Sequence, residues 1–318
     1  MRYAFVINPA SGKSGRNKDI IKSVEQLIAN HIDEDIGIYY TLEPEDACRM
    51  ADTLALEAMR AGDDIVIFAC GGDGTAHEIA NGLYGYDNAI LGLVPIGSGN
   101  DLCRALSKGK RSYKDYIDLE KQMMGRPREM DVIEISWEEN GEEKSCIAIN
   151  SVNIGFDGNT AIRADELNER MVFSGSLSYL IAVFSTLIKK EGQSLRITAD
   201  GEVFYDGDLL MATMGNGNYC GGGIESCPRA VLDDGLIELL VVKDLSRMSF
   251  VSKFPKFRAG GIFEIKGADD IACYKQVREV IIEPLRADEM EFVIDGEVYK
   301  TPKIRAEIQP KGITVWEI

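Results

Sequence analysis

The sequence predicts an α/β protein of two domains, the first built on a parallel sheet and the second on an antiparallel β-sandwich. Three observations predict this fold. Before Gly125, short apolar runs alternate with helical patterns, which favours a parallel sheet covered by helices on both faces. After Gly125-Arg126-Pro127, short β-rich runs are separated by Asn-Gly and Asp-Gly turns, which favours antiparallel pairing. A chain of 318 residues is also long enough to form two cores.

The first domain, which we place at residues 1–127, contains four predicted strands. They are the apolar runs Tyr3–Ile7, Ile36–Tyr40, Ile65–Ala69 and Ile90–Val94. Between the second and third runs, apolar residues recur at i, i+3 and i+4 spacing from Ala47 to Met59, which predicts a helix with one buried face.

The second domain, residues 128–318, is predicted to be a sandwich with one or two helices. Its β-rich runs are Val132–Ser136, Cys146–Asn150, Leu195–Ala199, Leu209–Met214, Ile237–Val242, Val280–Glu283, Met290–Ile294 and Ile313–Ile318. We expect the final strand to return towards the first domain. A cleft between unlike domains is a common place for a ligand, so we expect the functional residues there.

Composition and charge narrow the class of protein. A formal net charge of −17 argues against a nucleic-acid partner, because phosphate contacts need clustered Lys and Arg. The N-terminus enters a strand almost at once, without the apolar core of a signal peptide. Seven cysteines without a CxxC pair fit reduced thiols better than a disulfide framework, and only two histidines accompany them, which argues against a zinc site. The sequence therefore predicts a cytoplasmic protein.

One uncharged segment, Met171–Ile188, is near the lower length limit for a membrane span. It contains five Ser and Thr residues, and it lies in the middle of the chain without a second span. We therefore expect a mostly buried amphipathic helix packed on a sheet.

Three glycine-rich turns, Asn8–Lys13, Gly71–Thr75 and Pro95–Asp101, follow predicted strands of the first domain. At the carboxyl ends of neighbouring parallel strands, such turns converge on the crevice where open α/β sheets bind ligands. Backbone N–H groups and helix N-termini favour anions there, and glycine allows close approach. The predicted ligand is a polyphosphate, most simply ATP, although each turn taken singly can be a tight strand–helix connection. The common nucleotide motifs are not satisfied, because Ile7 and His77 stand where they need glycine or another small residue.

Taken together, these turns resemble the signature of a known family. Three N-terminal segments carry the resemblance: Asn8-Pro9-x-Ser11-Gly12-Lys13, Gly71-Gly72-Asp73-Gly74-Thr75-x-x-Glu78-x-x-Asn81-Gly82 and Pro95-x-Gly97-Ser98-Gly99-Asn100-Asp101-Leu102. Three later segments continue it: Asn216-Gly217-x-x-x-Gly221-Gly222-Gly223, Pro228-x-Ala230-x-x-Asp233-Asp234-Gly235 and Asp295-Gly296-Glu297. The set is similar to that of the diacylglycerol kinase catalytic-domain family, most closely its soluble bacterial lipid kinases. The resemblance implies a nucleotide-binding α/β domain related to NAD kinase and phosphofructokinase, followed by a β-sandwich.

The resemblance also implies which residues hold the nucleotide. The ATP phosphates are expected against two of the turns, with two hydroxyl residues nearby: Asn8, Pro9, Ala10, Ser11, Gly12, Gly71, Gly72, Asp73, Gly74 and Thr75, with Thr41 and Ser98. Asp73 is expected to position the catalytic Mg²⁺, since phosphoryl transfer depends mainly on positioning and charge neutralisation. The residues alone leave a second role open, in which Asp73 caps the helix that follows it.

Glu297 is the candidate general base that the resemblance implies. A lipid hydroxyl is a poor nucleophile at neutral pH until a carboxylate within hydrogen-bond reach accepts its proton. The turn Asp295-Gly296 precedes Glu297, so its side chain can stand at a loop tip. Asp-Gly-Glu is also a common hairpin turn, and Asp200-Gly201-Glu202 is a second copy in this chain.

A second, structural Mg²⁺ site is implied near Asp233-Asp234-Gly235-Leu236. The resemblance assigns the Asp234 carboxylate and the carbonyls of Val231 and Leu236 as its protein ligands, with waters completing the shell. Two adjacent carboxylates before a glycine can also form a solvated turn.

A basic and aromatic stretch between Arg247 and Lys266 indicates a membrane surface as a partner. Its five basic residues accompany one acidic residue, Glu264, and are interleaved with phenylalanines and other apolar residues. Charge for lipid headgroups and rings for the acyl boundary are what an interfacial segment needs. The alternative is a packed helix with a solvated basic edge.

These observations predict an ATP- and Mg²⁺-dependent lipid kinase that associates peripherally with a membrane. Diacylglycerol is the acceptor that the family implies, while phosphatidylglycerol, undecaprenol-like alcohols and sphingoid bases remain open, as do GTP as donor and a homodimeric state. A soluble-substrate kinase of the NAD kinase type shares the Gly-Gly-Asp-Gly turn, and a nucleotide-binding regulator without catalysis is a further alternative.

Overall fold

The computed structural model describes residues 1–11, 16–97, 99–108, 112–139, 141–155 and 193–318. These residues form two compact units. Unit 1 comprises Met1–Val132, Leu232–Asp234 and Gln309–Ile318, and unit 2 comprises Ile133–Val231 and Gly235–Ile308. Three sequence predictions, namely the helix expected within Met171–Ile188 and the nucleotide contacts of Gly12 and Ser98, lie outside the described residues.

Unit 1 contains a parallel sheet, as the sequence predicts. Its strands are β1 (Arg2–Ile7), β2 (Asp35–Tyr40), β3 (Ile65–Gly71) and β4 (Ala89–Pro95), arranged in the order β2-β1-β3-β4. Its α-helices are α1 (Arg16–Asn30), α2 (Asp46–Ala61), α3 (Asp73–Leu83), α4 (Asp101–Ser107) and α5 (Leu119–Gln122). The predicted helix over Ala47–Met59 is confirmed as part of α2.

The strand order places a reversal point between β1 and β3. The chain leaves β1 towards β2 on one side, and it then crosses back to β3 and β4 on the other side. Open α/β sheets bind ligands outside the carboxyl ends of the strands at such a point. The turns after β1 and β3 therefore stand where the fold favours a ligand.

The core of unit 1 explains why these strands form in the middle of the sheet. All seven residues of β3 and all seven of β4 are buried, as strands covered on both faces must be. Phe5 and Phe68 stack with ring centroids 4.6 Å apart. On the helical side, α2 buries one stripe of residues at i, i+4 spacing: Ala47, Ala51, Leu54, Ala55 and Ala58.

Unit 2 is predominantly antiparallel, which confirms the predicted fold class. Its strands, two of which also reach into unit 1, are β5 (Arg126–Glu139), β6 (Glu142–Ala148), β7 (Ser151–Ile154), β8 (Gln193–Ala199), β9 (Glu202–Gly215), β10 (Ile237–Lys243), β11 (Ala272–Val277), β12 (Glu279–Pro284), β13 (Met290–Ile294), β14 (Glu297–Thr301) and β15 (Ile304–Glu317). Its α-helices are α6 (Arg247–Arg258) and α7 (Ala268–Ile271). Within unit 2, β15 pairs with β12, while Thr314 and Val315 at its other end pair with β4 inside unit 1.

The two faces of the unit 2 sheet have different covers. Residues of one face alternate into a large hydrophobic core that includes Val152, Met214 and Phe292. The alternating residues of β9 and β10 on the other face, such as Met211 and Leu240, pack against the phenylalanines of α6. This alternation is the period of two that the sequence shows along its β-rich runs.

Candidate active site

The first glycine-rich turn lies at the reversal point of the unit 1 sheet. Asn8 follows β1, and its side-chain Nδ2 donates to Thr75 Oγ1 in the first turn of α3 over 3.2 Å. Its Oδ1 accepts the Ala10 amide over 2.9 Å, and its carbonyl accepts the Ser11 amide over 3.1 Å. The Asn8 side chain therefore joins this turn to the start of α3, while Pro9 and Ala10 remain exposed.

The second and third turns touch each other through their backbones. The Gly71 carbonyl accepts the amides of Ile96 and Gly97, each over 3.1 Å. A Cβ on Gly97 would lie 2.5 Å from the Gly72 Cα, which is too close for any side chain. A Cβ on Gly72 would instead meet the Gly97 Cα at 3.6 Å, an ordinary contact. Packing therefore requires glycine at position 97 and does not require it at position 72.

The start of α3 provides amide groups for an anion. Gly72 is the N-cap residue, and the first intrahelical bond runs from the Ala76 amide to the Gly72 carbonyl over 3.2 Å. The amides of Gly74 and Thr75 lie ahead of that bond, so no carbonyl of their own helix accepts them. Together with the helix dipole, these amides favour a negatively charged group such as phosphate.

Asp73 joins the second turn to the third. Its Oδ2 accepts the Asn100 amide and its Oδ1 accepts the Asp101 amide, each over 2.7 Å. Asp73 therefore caps the start of α4. The residues alone left open that Asp73 caps the helix that follows it, which is α3, whereas the helix that it caps in the structure is α4.

Asn100 completes this arrangement, and sequence reasoning did not single it out as a site residue. It has a left-handed backbone (φ 57°), and its Nδ2 donates to the Gly97 carbonyl over 2.7 Å. Asparagine tolerates this conformation better than most residues, because its short amide can bond to nearby backbone. The signal available in the sequence was the Gly-Asn-Asp order directly before an apolar helix.

A small cavity lies beside Asp73. It measures about 10 Å³ and is lined in part by Gly72, Asp73, Asn100 and Cys103. A space of that size holds about one water molecule. Burial, with a further contribution from the Asp73 charge, raises the pKa of the Cys103 thiol well above its usual value, so this thiol stays protonated and is not a nucleophile.

Thr41 directly follows β2, as Asn8 directly follows β1. Its amide donates to the Ile7 carbonyl over 3.1 Å, and its side chain is buried. The next two amides, of Leu42 and Glu43, donate to Asp46 Oδ2 over 2.7 and 3.0 Å, which fixes the loop ahead of α2. The described members of the expected nucleotide set thus stand at the carboxyl ends of three adjacent strands, β2, β1 and β3.

Two residues of the glycine-rich signature serve packing. Glu78 Oε2 accepts the Ala47 amide at the start of α2 over 3.2 Å. A Cβ on Gly82 would lie 2.3 Å from the Cys48 carbonyl oxygen, so α2 and α3 approach each other through this glycine. These positions explain part of the signature without any ligand.

Magnesium chemistry fits the Asp73 carboxylate. Across the described ranges, no group of three or more His, Cys, Asp or Glu side chains could hold a metal ion. Mg²⁺ in kinases commonly uses one or two carboxylates, with substrate phosphates and waters as its remaining ligands. Asp73 offers hard oxygen atoms of this kind beside the turns that the sequence assigns to phosphate.

In unit 2, Glu297 stands at the tip of a hairpin. It is the first residue of β14, and it pairs with Ile294 of β13 across the two-residue turn Asp295-Gly296. Its side chain is exposed, as the sequence predicts for a residue at a loop tip. The Asp295 side chain is by contrast buried, and it accepts three backbone amides from residues 149–151.

The loop expected to hold a structural magnesium is a turn around Gly235, which has a φ of 72°. Asp233 accepts Arg128 Nη2 over 3.1 Å, whereas Asp234 and Val231 are exposed. The site formed by Asp234 with the carbonyls of Val231 and Leu236 stays a prediction.

The basic and aromatic stretch folds as α6 and the turn that follows it. Phe250, Phe254 and Phe257 are buried against the sheet of unit 2, so they are not rings at an outer surface. Lys256 is exposed and pairs with Glu264 over 3.4 Å. This geometry matches the alternative of a packed helix with a solvated basic edge. None of the described helices has the length and hydropathy needed to cross a bilayer.

Two family models match the chain. The diacylglycerol kinase catalytic domain matches residues 2–135, and the YegS C-terminal NAD kinase beta sandwich-like domain matches residues 150–317. A probable lipid kinase YegS-like of Xanthomonas euvesicatoria pv. vesicatoria (strain 85-10) is 30% identical over 240 residues, or 74% of this chain and 72% of the relative. A probable lipid kinase YegS of Salmonella heidelberg (strain SL476) is 32% identical over 235 residues, or 73% of this chain and 72% of the relative.

Solved structures share the fold. A putative diacylglycerol kinase from Bacillus anthracis str. Sterne superposes with a TM-score of 0.70 at 24% identity, covering 100% of this chain and 97% of that one. Yeast NADH kinase complexed with NADH superposes with a TM-score of 0.53 at 10% identity, covering 99% of this chain and 82% of that one. On the family models and the relatives, the chain belongs to the diacylglycerol kinase catalytic-domain family of lipid kinases, with a C-terminal domain of the YegS type.

Proposed function

We propose that this lipid kinase transfers the γ-phosphate of ATP, bound with Mg²⁺, to the hydroxyl group of diacylglycerol. The observation that carries the donor half is the meeting of the Asn8, Gly72 and Gly97 turns at the reversal point of a parallel sheet. Backbone amides at such a point favour phosphate groups. The family supports a lipid as acceptor.

In the proposed donor site, backbone amides of the two N-terminal turns bind the phosphates. Gly72 lets the chain approach them, and the Asn8 side chain holds the first turn against α3. Asp73 holds the Mg²⁺, which supplies neutralisation of the phosphate charge when it is bound. The two amides that Asp73 accepts keep its carboxylate in one orientation, so little reorganisation is needed when the nucleotide arrives.

In the proposed acceptor half, Glu297 takes the proton of the lipid hydroxyl. The hydroxyl oxygen forms a bond to the γ-phosphorus while the bond from that phosphorus to the β–γ bridging oxygen breaks. ADP leaves, and the phosphorylated lipid carries the new phosphate ester. The proton resides on the Glu297 carboxylate and passes to solvent afterwards.

We also propose that the enzyme meets its lipid by docking peripherally on an anionic membrane through the exposed basic edge of α6. Because the phenylalanines of α6 are buried, the attraction is electrostatic and does not use inserted rings. The exposed Lys256 lies on this edge, and the half-buried Lys253, whose Nζ donates to Ser249 Oγ over 2.8 Å, lies three positions before it on the helix.

The test is transfer of labelled γ-phosphate from ATP with Mg²⁺ in mixed micelles. The panel contains diacylglycerol, phosphatidylglycerol, an undecaprenol, a sphingoid base and, as a soluble acceptor, NAD. Wild type is compared with Glu297→Gln and with Glu202→Gln, which changes the same residue of the second Asp-Gly-Glu hairpin. We expect labelled phosphatidic acid, a rate about 10²–10⁴-fold lower for Glu297→Gln, and an unchanged rate for Glu202→Gln.

Other outcomes redirect the proposal. Label in a different lipid would correct the acceptor and keep the lipid kinase. Label in NADP alone would contradict the proposal and place the activity with the NAD kinases. Equal rates for Glu297→Gln and wild type would remove Glu297 as the base.

A further inference from the structure

The hairpin that carries Glu297 is anchored by a buried charge. Asp295 is only 6% exposed, and its carboxylate accepts three backbone amides. Oδ2 accepts Ile149 over 2.8 Å, and Oδ1 accepts Asn150 over 3.0 Å and Ser151 over 2.9 Å. In return, the Asp295 amide donates to the Ser151 carbonyl over 3.0 Å. A carboxylate is costly to bury, and hydrogen bonds of this number are what offset that cost.

The anchored segment also holds a second part of the family signature. The Asn150 carbonyl accepts the amides of Asn216 and Gly217, each over 2.9 Å. Asn216 Nδ2 donates back to the Ile149 carbonyl over 3.1 Å. Two segments of the signature that are far apart in the sequence, at 216 and 295, therefore meet through residues 149–151.

The second Asp-Gly-Glu hairpin shows what the turn alone requires. Asp200 and Gly201 have positive φ angles of 51° and 82°, and Asp295 and Gly296 have 47° and 106°. Both pairs fit the two-residue turn in which Asp-Gly is preferred. Asp200 makes similar bonds, since among the described residues its carboxylate accepts the amides of Arg278 and Glu279 and its own amide donates to the Glu279 carbonyl over 3.0 Å, but Asp200 is exposed. The turn therefore forms without a buried anchor, and the burial of Asp295 needs another explanation.

We propose that Asp295 is a positioning residue that holds the Glu297 side chain at the place where it accepts the proton. Glu297 lies two residues beyond Asp295, at the exposed start of β14, and the described part of this hairpin has no other buried carboxylate so close to it. Misplacement of a reacting group by about 1 Å can cost on the order of 10² in rate. The proposal rests on the proposed function, in which Glu297 is the general base.

The test compares Asp295→Asn with the matched control Asp200→Asn. Asparagine keeps one acceptor oxygen, but its NH₂ group is a donor and cannot accept a hydrogen bond from a backbone N–H. We expect Asp295→Asn to lower kcat about 10–100-fold with little change in the KM for ATP, because the donor site is untouched. We expect Asp200→Asn to change kcat less than twofold. A wild-type kcat in folded Asp295→Asn would overturn the proposal.

A double-mutant cycle separates positioning from general destabilisation. If Asp295 acts through Glu297, then Asp295→Asn costs almost nothing further in the Glu297→Gln background. Losses that multiply would mean that Asp295 acts independently of Glu297, which overturns the proposal. If Glu297→Gln alone retains full activity, the base assignment itself fails, and the positioning role fails with it.

A second matched pair covers the case in which Asp295→Asn does not fold. A Cβ on Gly296 or on Gly201 would meet no atom within 4 Å, but either alanine would strain a turn of positive φ. Gly296→Ala therefore shifts the hairpin tip and leaves the anchor carboxylate in place. We expect it to lower kcat at least fivefold while Gly201→Ala does not, and equal kcat values for the two variants would overturn the proposal.

Discussion

Replacing Gly72 by alanine should separate ligand binding from packing. A Cβ on Gly72 would lie 3.6 Å from the Gly97 Cα, and the backbone of Gly72 (φ −100°) is open to alanine. The reciprocal change, Gly97→Ala, would place a Cβ 2.5 Å from the Gly72 Cα and 3.0 Å from its nitrogen. The same added methyl group is therefore tolerated by the fold in one turn and not in the other.

The expected magnitudes follow from those distances. At Gly72, alanine is a poorer N-cap than glycine, but it also lowers the entropy of the unfolded chain, so the net change should stay within about 1 kcal/mol. At Gly97 the clash is with backbone, so overpacking should cost about 1–3 kcal/mol. That loss corresponds to a decrease in Tm of about 2–12 °C. If Gly72 meets a phosphate, its new methyl group should weaken one charge-assisted hydrogen bond and lower ATP affinity about 10–100-fold.

The assay is thermal unfolding together with calorimetric titration of ATP in the presence of Mg²⁺. We expect Gly72→Ala to retain the wild-type Tm and to lose ATP affinity, and Gly97→Ala to lose Tm. Wild-type ATP affinity in Gly72→Ala would refute the assignment of this turn to the phosphates. A wild-type Tm in Gly97→Ala would refute the close contact between the two turns.

Three further predictions concern charges and thiols. Burial raises the pKa of Cys146 to about 12, so about 10⁻⁴ of this thiol is thiolate at pH 8. Mass spectrometry should therefore find Cys146 unmodified by iodoacetamide until urea unfolds the chain. Rapid labelling of Cys146 in the native protein would contradict this prediction. Arg128 pairs with the nearly buried Glu317 over 3.3 Å. Arg128→Gln should therefore lower the free energy of unfolding, measured by urea titration, by about 1–2 kcal/mol. An unchanged urea concentration at the midpoint of unfolding would argue against the pair. Lys253→Glu combined with Lys256→Glu should weaken sedimentation with phosphatidylglycerol vesicles at least tenfold and leave sedimentation with phosphatidylcholine vesicles unchanged. Equal binding of the variant and wild type to anionic vesicles would refute the docking edge.

Local signals in the sequence predict much of the unit 1 fold. Apolar runs and the i, i+4 stripe of α2 depend on residues near in sequence, so the predicted strands lie within the observed ones and the predicted helix lies within α2. The glycine-rich turns could also be located from the sequence, because the glycines of each turn are close together in the chain. Their convergence was expected from the parallel sheet. Their backbone packing was not predictable, because the lack of room for a Cβ on Gly97, which would lie 2.5 Å from the Gly72 Cα, depends on how β3 and β4 place their ends side by side.

The side of a helix that faces the core is harder to predict when charges and rings alternate. In α6, Phe250, Phe254 and Phe257 follow the 3.6-residue period of a buried stripe, but Pro255 and the lysines between them weaken that pattern. The composition alone therefore also fitted an interfacial segment. The strand β14 was missed because its exposed residues Glu297 and Val298 give it little apolar alternation.

Asp73 and Asp295 show that the aspartates of this signature hold backbone segments in place, whether or not they also contact a ligand. Each carboxylate accepts backbone amides from a segment distant in sequence, Asp73 from residues 100–101 and Asp295 from residues 149–151. Amides that converge on one carboxylate are fixed in direction, so the backbone of the residues beside them is also held in one conformation. Loss of either charge should therefore disturb neighbouring residues as well as any ligand that the carboxylate holds. A kinetic effect at Asp73 thus requires a stability measurement for its interpretation, and one at Asp295 also requires the double-mutant cycle.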